Sequence, residues 1–275
     1  MLLKSIAGLS LILAAAVYFL WDTALWLIPV LFALFYAVLM VIAFLFLCLV
    51  CSFVDMDTPQ EHDSKFHRIV MNLYIEALVT LVHLHTETEG LEKVPTDGRF
   101  LLVCNHQNNA DPGILLHFFR SSQLAFISKQ ENKTMFVVGK MMHKTMCQLI
   151  NRENDREALK TILKCIQLLK NDEVSIAAFP EGGIKIKDKL NPFRSGMFKI
   201  AQKANVPIVV CTLKGSSEVI HNIVHFKPSY VRLHLVDVIP AEDLKGKTTV
   251  EIAERVHAMM LADLGPEYAL PEEIP

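Results

Sequence analysis

Between residues 5 and 54 the chain carries one charged residue, Asp22, and this limits the folds open to it more than any other feature. Asp22 divides the stretch into residues 5–21 and 23–54, which as α-helices would reach about 25 Å and about 48 Å. A bilayer's hydrocarbon core is roughly 30 Å thick, so the second piece is long enough to span it and the first is marginal. Tyr18, Trp21 and Trp26 gather around Asp22, as interfacial aromatic residues do beside a tight turn. The pattern predicts an N-terminal membrane helical hairpin, residues 1–57, whose two ends return to one side. A secretory signal is the alternative for the first piece, because Lys4 precedes an apolar run containing Ala14, Ala15 and Ala16. The apolar character runs straight through that site, which argues against cleavage there.

Charge and cysteines narrow the function classes. The net charge of -2 excludes nucleic-acid binding driven by overall basicity. Lys4 precedes the hairpin, and Lys65 and Arg68 follow it among Asp55, Asp57, Glu61 and Asp63, a thin positive-inside signal. Cys48, Cys51, Cys104, Cys147, Cys165 and Cys211 form no paired metal spacing with histidines, and most fall in apolar strands or helices. Free thiols in a reducing compartment are therefore expected, with the catalytic domain on the cytoplasmic face of a membrane. No metal site is expected among the eleven histidines; His83 and His85 are read as decorating the exposed end of a helix.

The globular part, residues 58–265, opens with helical spacing of Phe66, Ile69, Val70, Leu73, Ala77, Leu78 and Leu81. That face suits the membrane surface and a protein core equally. Strands are expected at 100–104, 124–128, 147–150, 174–179, 208–213 and 230–238, and helices at 112–119, 134–146, 155–170, 195–204 and 249–264. This alternation predicts an α/β fold, a mainly parallel sheet flanked by helices. Asn154 with Glu157, and Thr248 with Glu251, have capping-box spacing at two helix starts. The acidic tail, 266–275, is expected to fray.

Two loops at strand ends carry the chemistry. Asn105-His106-Gln107-Asn108-Asn109-Ala110-Asp111 follows the first strand, where an α/β sheet collects ligands and catalytic groups. An imidazole there can take a proton from a hydroxyl when a carboxylate fixes its tautomer, and Asp111 lies within reach of His106 across a turn. The second loop is Phe179-Pro180-Glu181-Gly182-Gly183, whose glycines let a ligand approach the main chain closely.

With Val206-Pro207-Ile208-Val209, these blocks resemble, over roughly residues 75–240, the glycerolipid acyltransferase family that includes 1-acylglycerol-3-phosphate acyltransferase. The resemblance implies a membrane-bound enzyme that moves a fatty acyl group from acyl-CoA or acyl-carrier protein to a lysophospholipid hydroxyl, without a cofactor. His106 is then the base and Asp111 its orienting partner. Asn105 either shapes the loop or touches reactants, and Glu181 either fixes its loop or bonds an acceptor hydroxyl. Gln148-Leu149-Ile150-Asn151-Arg152 is similar to the family's second motif, which puts Arg152 on the acceptor phosphate, although Asn151 stands where Asp is commoner. Family members often read Phe-Pro-Glu-Gly-Thr-Arg, and this chain has Gly183 and Ile184 in the last two places. Lys185 or Lys187 would then supply the missing charge, as a point cation. Rival expectations are another lysolipid acceptor, such as lyso-ornithine lipid, and a non-catalytic lipid-binding module. Cys104, two residues before His106, is a candidate nucleophile, opposed by its place in an apolar strand.

Overall fold

A computed structural model describes residues 1–151 and 154–271. The apolar front folds as α1 (Leu2–Trp21) and α2 (Leu27–Ser52), joined at Asp22, which takes the left-handed conformation that ends α1. Both helices are long and apolar enough to cross a bilayer, and few of their side chains are buried; Phe19 and Phe44 are exposed, as is Trp26 in the connection between them. The hairpin is rooted on α3 (Lys65–Leu81): Tyr74 donates its hydroxyl to the Ala43 carbonyl at 2.5 Å, and the terminal amine pairs with Glu76. Leu47 and Cys51 pack there against Val70 and Met141.

Helix α3 packs one edge into the domain and leaves apolar residues exposed on another. Val70 and Ala77 are buried, whereas Phe66, Ile69, Leu78 and Leu81 stay exposed on the other face. It ends at Leu81, and after His83, with φ 50°, the chain enters β1 (Leu84–Glu89). His85 thus lies on a strand, stacked on Tyr230 at 5.0 Å, and not at a helix end as the sequence suggested. Strand β1 escapes a hydropathy reading because Leu-His-Thr-Glu-Thr-Glu is an edge, where charge protects unpaired backbone.

The other strands are β2 (Leu101–Cys104), β3 (Leu124–Lys129), β4 (Gln148–Ile150), β5 (Ser175–Ala178), β6 (Ile208–Lys214) and β7 (Ser229–Ile239). They form one seven-stranded sheet in the order β1-β7-β6-β2-β5-β3-β4, in which only the β6–β7 pairing is antiparallel. Strands β2 and β5 are buried throughout, as expected of parallel strands covered on both faces. One apolar cluster fills one face beneath α6 (Asp155–Lys170), α7 (Lys199–Ala204) and α9 (Thr249–Leu264). A second, around Phe100, Leu102, Ile114 and Leu115, lies beneath α4 (Asp111–Phe118). Helix α5 (Phe136–Lys144) packs near the hairpin root, and a short α8 (Val219–Val224) follows β6.

Of the two expected capping boxes, Thr248 and Glu251 make both reciprocal bonds. Asn154 accepts from the Arg156 and Glu157 amides, but the Glu157 carboxylate turns to Asn151 instead of closing the box. The tail through residue 271 is docked, contrary to the expectation of fraying: Tyr268 is buried and its carbonyl accepts from Leu190 N at 2.8 Å. Aromatic burial there outweighs the acidic flanks. Residues 272–275 lie outside the described residues.

One buried ion pair ties the front of the domain together. Arg68 holds both Asp63 oxygens at 2.6 and 2.7 Å and donates to the Leu124 and Thr145 carbonyls at 3.0 and 3.1 Å. Replacing Arg68 by Met strands a buried carboxylate and two carbonyls, which costs about 3–5 kcal/mol. Thermal unfolding in detergent should show a midpoint lowered by on the order of 10 °C; an unchanged midpoint contradicts this role.

Candidate active site

The site follows from strand register. In the β2–β5 ladder Val103 pairs with Ala178, so the residues three places further on, His106 and Glu181, emerge side by side at the carboxyl ends of two adjacent central strands. Glu181 Oε1 accepts from the His106 backbone N–H at 2.6 Å. Its Oε2 accepts from the Asn191 backbone and side-chain amides at 2.9 and 2.7 Å. The carboxylate is fully buried, and burial raises its pKa against the opposing pull of the Asn191 and His106 donors. Both oxygens are thus engaged by the protein, and the residue clasps the two loops to each other.

The heptad is built from similar staples. Asn105 extends the β2 ladder with its side chain, donating to the Leu213 carbonyl at 2.8 Å and accepting from the Leu213 amide at 2.7 Å. Gln107 accepts from Asp188 N at 2.7 Å and donates to the Lys189 carbonyl at 2.9 Å, which fixes the second loop. Asn108 donates to the Ser217 carbonyl and accepts from the Ala110 amide, forming the turn that starts α4. Asn105, Gln107 and Asn108 are buried, so these bonds also satisfy groups that would be costly to leave unpaired; Asp111 is buried too, and its Oδ1 has no hydrogen bond among the described residues.

Asp111 Oδ2 gathers three donors: His106 Nδ1 at 2.9 Å, Gln107 N at 2.7 Å and Asn108 N at 2.8 Å. This arrangement puts the imidazole proton on Nδ1 and leaves the Nε2 lone pair for a substrate. No described residue bonds Nε2. The ring stacks on Phe179, with centroids 4.1 Å apart and planes 15° apart, and Phe179 stacks in turn on Phe126. A base held by a carboxylate at one edge and an aromatic ring across its face has one orientation available.

Cys104 does not join it. Strand β2 ends at Cys104, whose thiol is wholly buried, and burial with nearby Asp111 and Glu181 pushes its pKa well above the usual thiol value. Of the other expected residues, Gly182 (φ 76°) and Gly183 (φ 142°) form a turn beside Glu181 that L-residues adopt with difficulty. Lys185 is exposed, and Lys187 is paired with Glu218. Arg152 lies outside the described residues. Sequence reasoning passed over Gln107, Asn108, Phe179 and Asn191. The signal for the first two was polarity where the flanking pattern demanded burial. Asn191, ten residues from its carboxylate partner, had none.

A family model described as Acyltransferase matches residues 85–214. A 1-acyl-sn-glycerol-3-phosphate acyltransferase of Brassica napus chloroplasts is 31% identical over 58% of this chain, and a probable one of Mycoplasma pneumoniae likewise. The matched stretch spans 45% and 58% of those two relatives, about half of their length. The enzyme of that name from Salmonella typhimurium is 27% identical over 84% of this chain and 94% of its own. The crystal structure of the 1-acyl-sn-glycerophosphate acyltransferase PlsC of Thermotoga maritima shares the fold, with a TM-score of 0.62 at 21% identity over 80% of this chain and 86% of that one. The matching segment runs from β1 to the end of β6 and contains both loops of the site, and together the model, the relatives and the shared fold support a place in the glycerolipid acyltransferase family.

Proposed function

We propose that this protein is a membrane-bound O-acyltransferase, working from the cytoplasmic face, that acylates the free hydroxyl of 1-acylglycerol-3-phosphate to give phosphatidic acid. The acyl donor is a thioester of coenzyme A or acyl-carrier protein. The observation that carries this reading is an imidazole with Nδ1 bound to a buried carboxylate and Nε2 open, set within the segment that the acyltransferase family model matches.

In the reaction, His106 Nε2 accepts the acceptor's hydroxyl proton as the oxygen attacks the thioester carbonyl. The imidazolium that forms is stabilised by Asp111 and by the face of Phe179. When the tetrahedral intermediate collapses, the carbon–sulfur bond breaks and the proton passes from Nε2 to the leaving thiolate. No enzyme nucleophile is needed. Asn105 and Glu181 act as positioning residues, through Leu213 and through the His106 amide.

Purified protein given a labelled acyl thioester and a panel of lysolipids should form product with 1-acylglycerol-3-phosphate. Product with lyso-ornithine lipid alone overturns the acceptor, and no product with any lysolipid overturns the activity. His106→Ala should lower kcat by about 10²–10⁴-fold, and Asp111→Asn comparably, with unfolding midpoints near wild type; unchanged turnover in folded His106→Ala protein sinks the mechanism. Mass spectrometry after exposure to thioester alone should find no acyl adduct. An adduct on Cys104 that passes to acceptor would replace direct attack by a covalent route.

A further inference from the structure

The loop after Glu181 carries Lys185, Lys187 and Lys189 and ends at Arg194. Three of these cations are spent or loose: Lys187 pairs with Glu218, Lys189 donates to the Glu267 carbonyl, and Lys185 is exposed with nothing to hold it. Arg194 differs. Its backbone amide donates to the Pro180 carbonyl at 2.9 Å, which brings residue 194 back beside the start of the loop. Its side chain then lies across Gly182. A Cβ on Gly182 would sit 2.7 Å from Arg194 Nε and 2.9 Å from its Cδ, closer than real Cβ atoms come, so this packing requires glycine there. The same glycine has φ 76°, so the turn demands it too.

The Arg194 side chain makes no hydrogen bond or ion pair among the described residues and is exposed. Its stem lies against the Gly182 backbone, and its fork has no partner among the described residues. It stands on the residue next to Glu181, whose Oε1 holds the His106 amide, so an unpaired guanidinium borders the loop that positions the base. Ile184 occupies the place where family members often carry arginine, and it brings no charge to the loop.

We infer that Arg194 clamps the anionic head group of the acceptor, a phosphate monoester, at the mouth of the His106 site; this rests on the acyl-transfer reading above. A guanidinium offers two parallel N–H donors to two phosphate oxygens, which a lysine on the same loop does not. Packing on Gly182 removes part of the entropy that a free arginine would lose on binding. Preference for a phosphate-bearing acceptor over one without phosphate then follows from the fork and its charge.

Arg194→Gln removes the charge at an exposed position, so folding should be unaffected, and an unchanged unfolding midpoint verifies it. The KM for 1-acylglycerol-3-phosphate should rise roughly 10- to 100-fold, the worth of a charge-assisted pair. The KM for the thioester, and turnover with monoacylglycerol, which has no phosphate, should stay within about twofold. Arg194→Lys should recover part of the loss. An unchanged KM for the phosphate acceptor, or an equal loss with monoacylglycerol, overturns the assignment while acyl transfer stands. A binding titration with glycerol 3-phosphate separates the two readings. Binding by wild type that disappears in Arg194→Gln supports the clamp even where no transfer is seen, and equal binding by both proteins, or binding by neither, refutes it.

Discussion

The architecture of the site depends on one buried carboxylate. Glu181 is fully enclosed, and a lone charge in that position would be untenable. Three N–H donors make it tolerable, and they come from two different loops: His106 on one side, Asn191 on the other. The bond to the His106 amide exists only because β2 and β5 are neighbours in a parallel ladder whose register puts positions 106 and 181 level. Sheet pairing, loop closure and the position of the base are therefore one constraint. Gln107 reinforces it by gripping residues 188 and 189 of the far loop.

The reactive histidine is also coupled to the hairpin through packed helices. The terminal amine and the Ala43 carbonyl are held by Glu76 and Tyr74 of α3, and α3 packs against α4, whose first residue is Asp111. Two helices thus separate the hairpin from the carboxylate that orients the base. In the proposed reaction this would keep the site at a fixed place relative to a bilayer that holds the lysolipid.

Much of this was legible in the sequence, for physical reasons that also explain the rest. The hairpin announced itself because lipid-length apolar runs are rare, and β2, β5 and β6 because strands buried on both faces read as continuous hydrophobic segments. The His106–Asp111 pair was local, within one turn. Strand β1 was hidden because an edge strand is polar, and the reversed direction of β7 because a period of two carries no sign. Glu181's role needed the sheet register, which no spacing of 75 residues supplies. The approach of Arg194 to the loop depends on a left-handed glycine twelve residues back, whereas the sequence pattern points to Arg152, with Lys185 or Lys187 beside it.

The central claim is that His106 presents an unprotonated Nε2 to its substrate because Asp111 holds the proton on Nδ1. Nitrogen-15 NMR of histidine-labelled protein at a pH where the ring is neutral tests it most directly. The account predicts a protonated Nδ1 and a lone-pair Nε2 for His106 in wild type, with that preference lost in Asp111→Asn. A His106 protonated on Nε2 in wild type would leave no base facing the acceptor hydroxyl and would contradict the account.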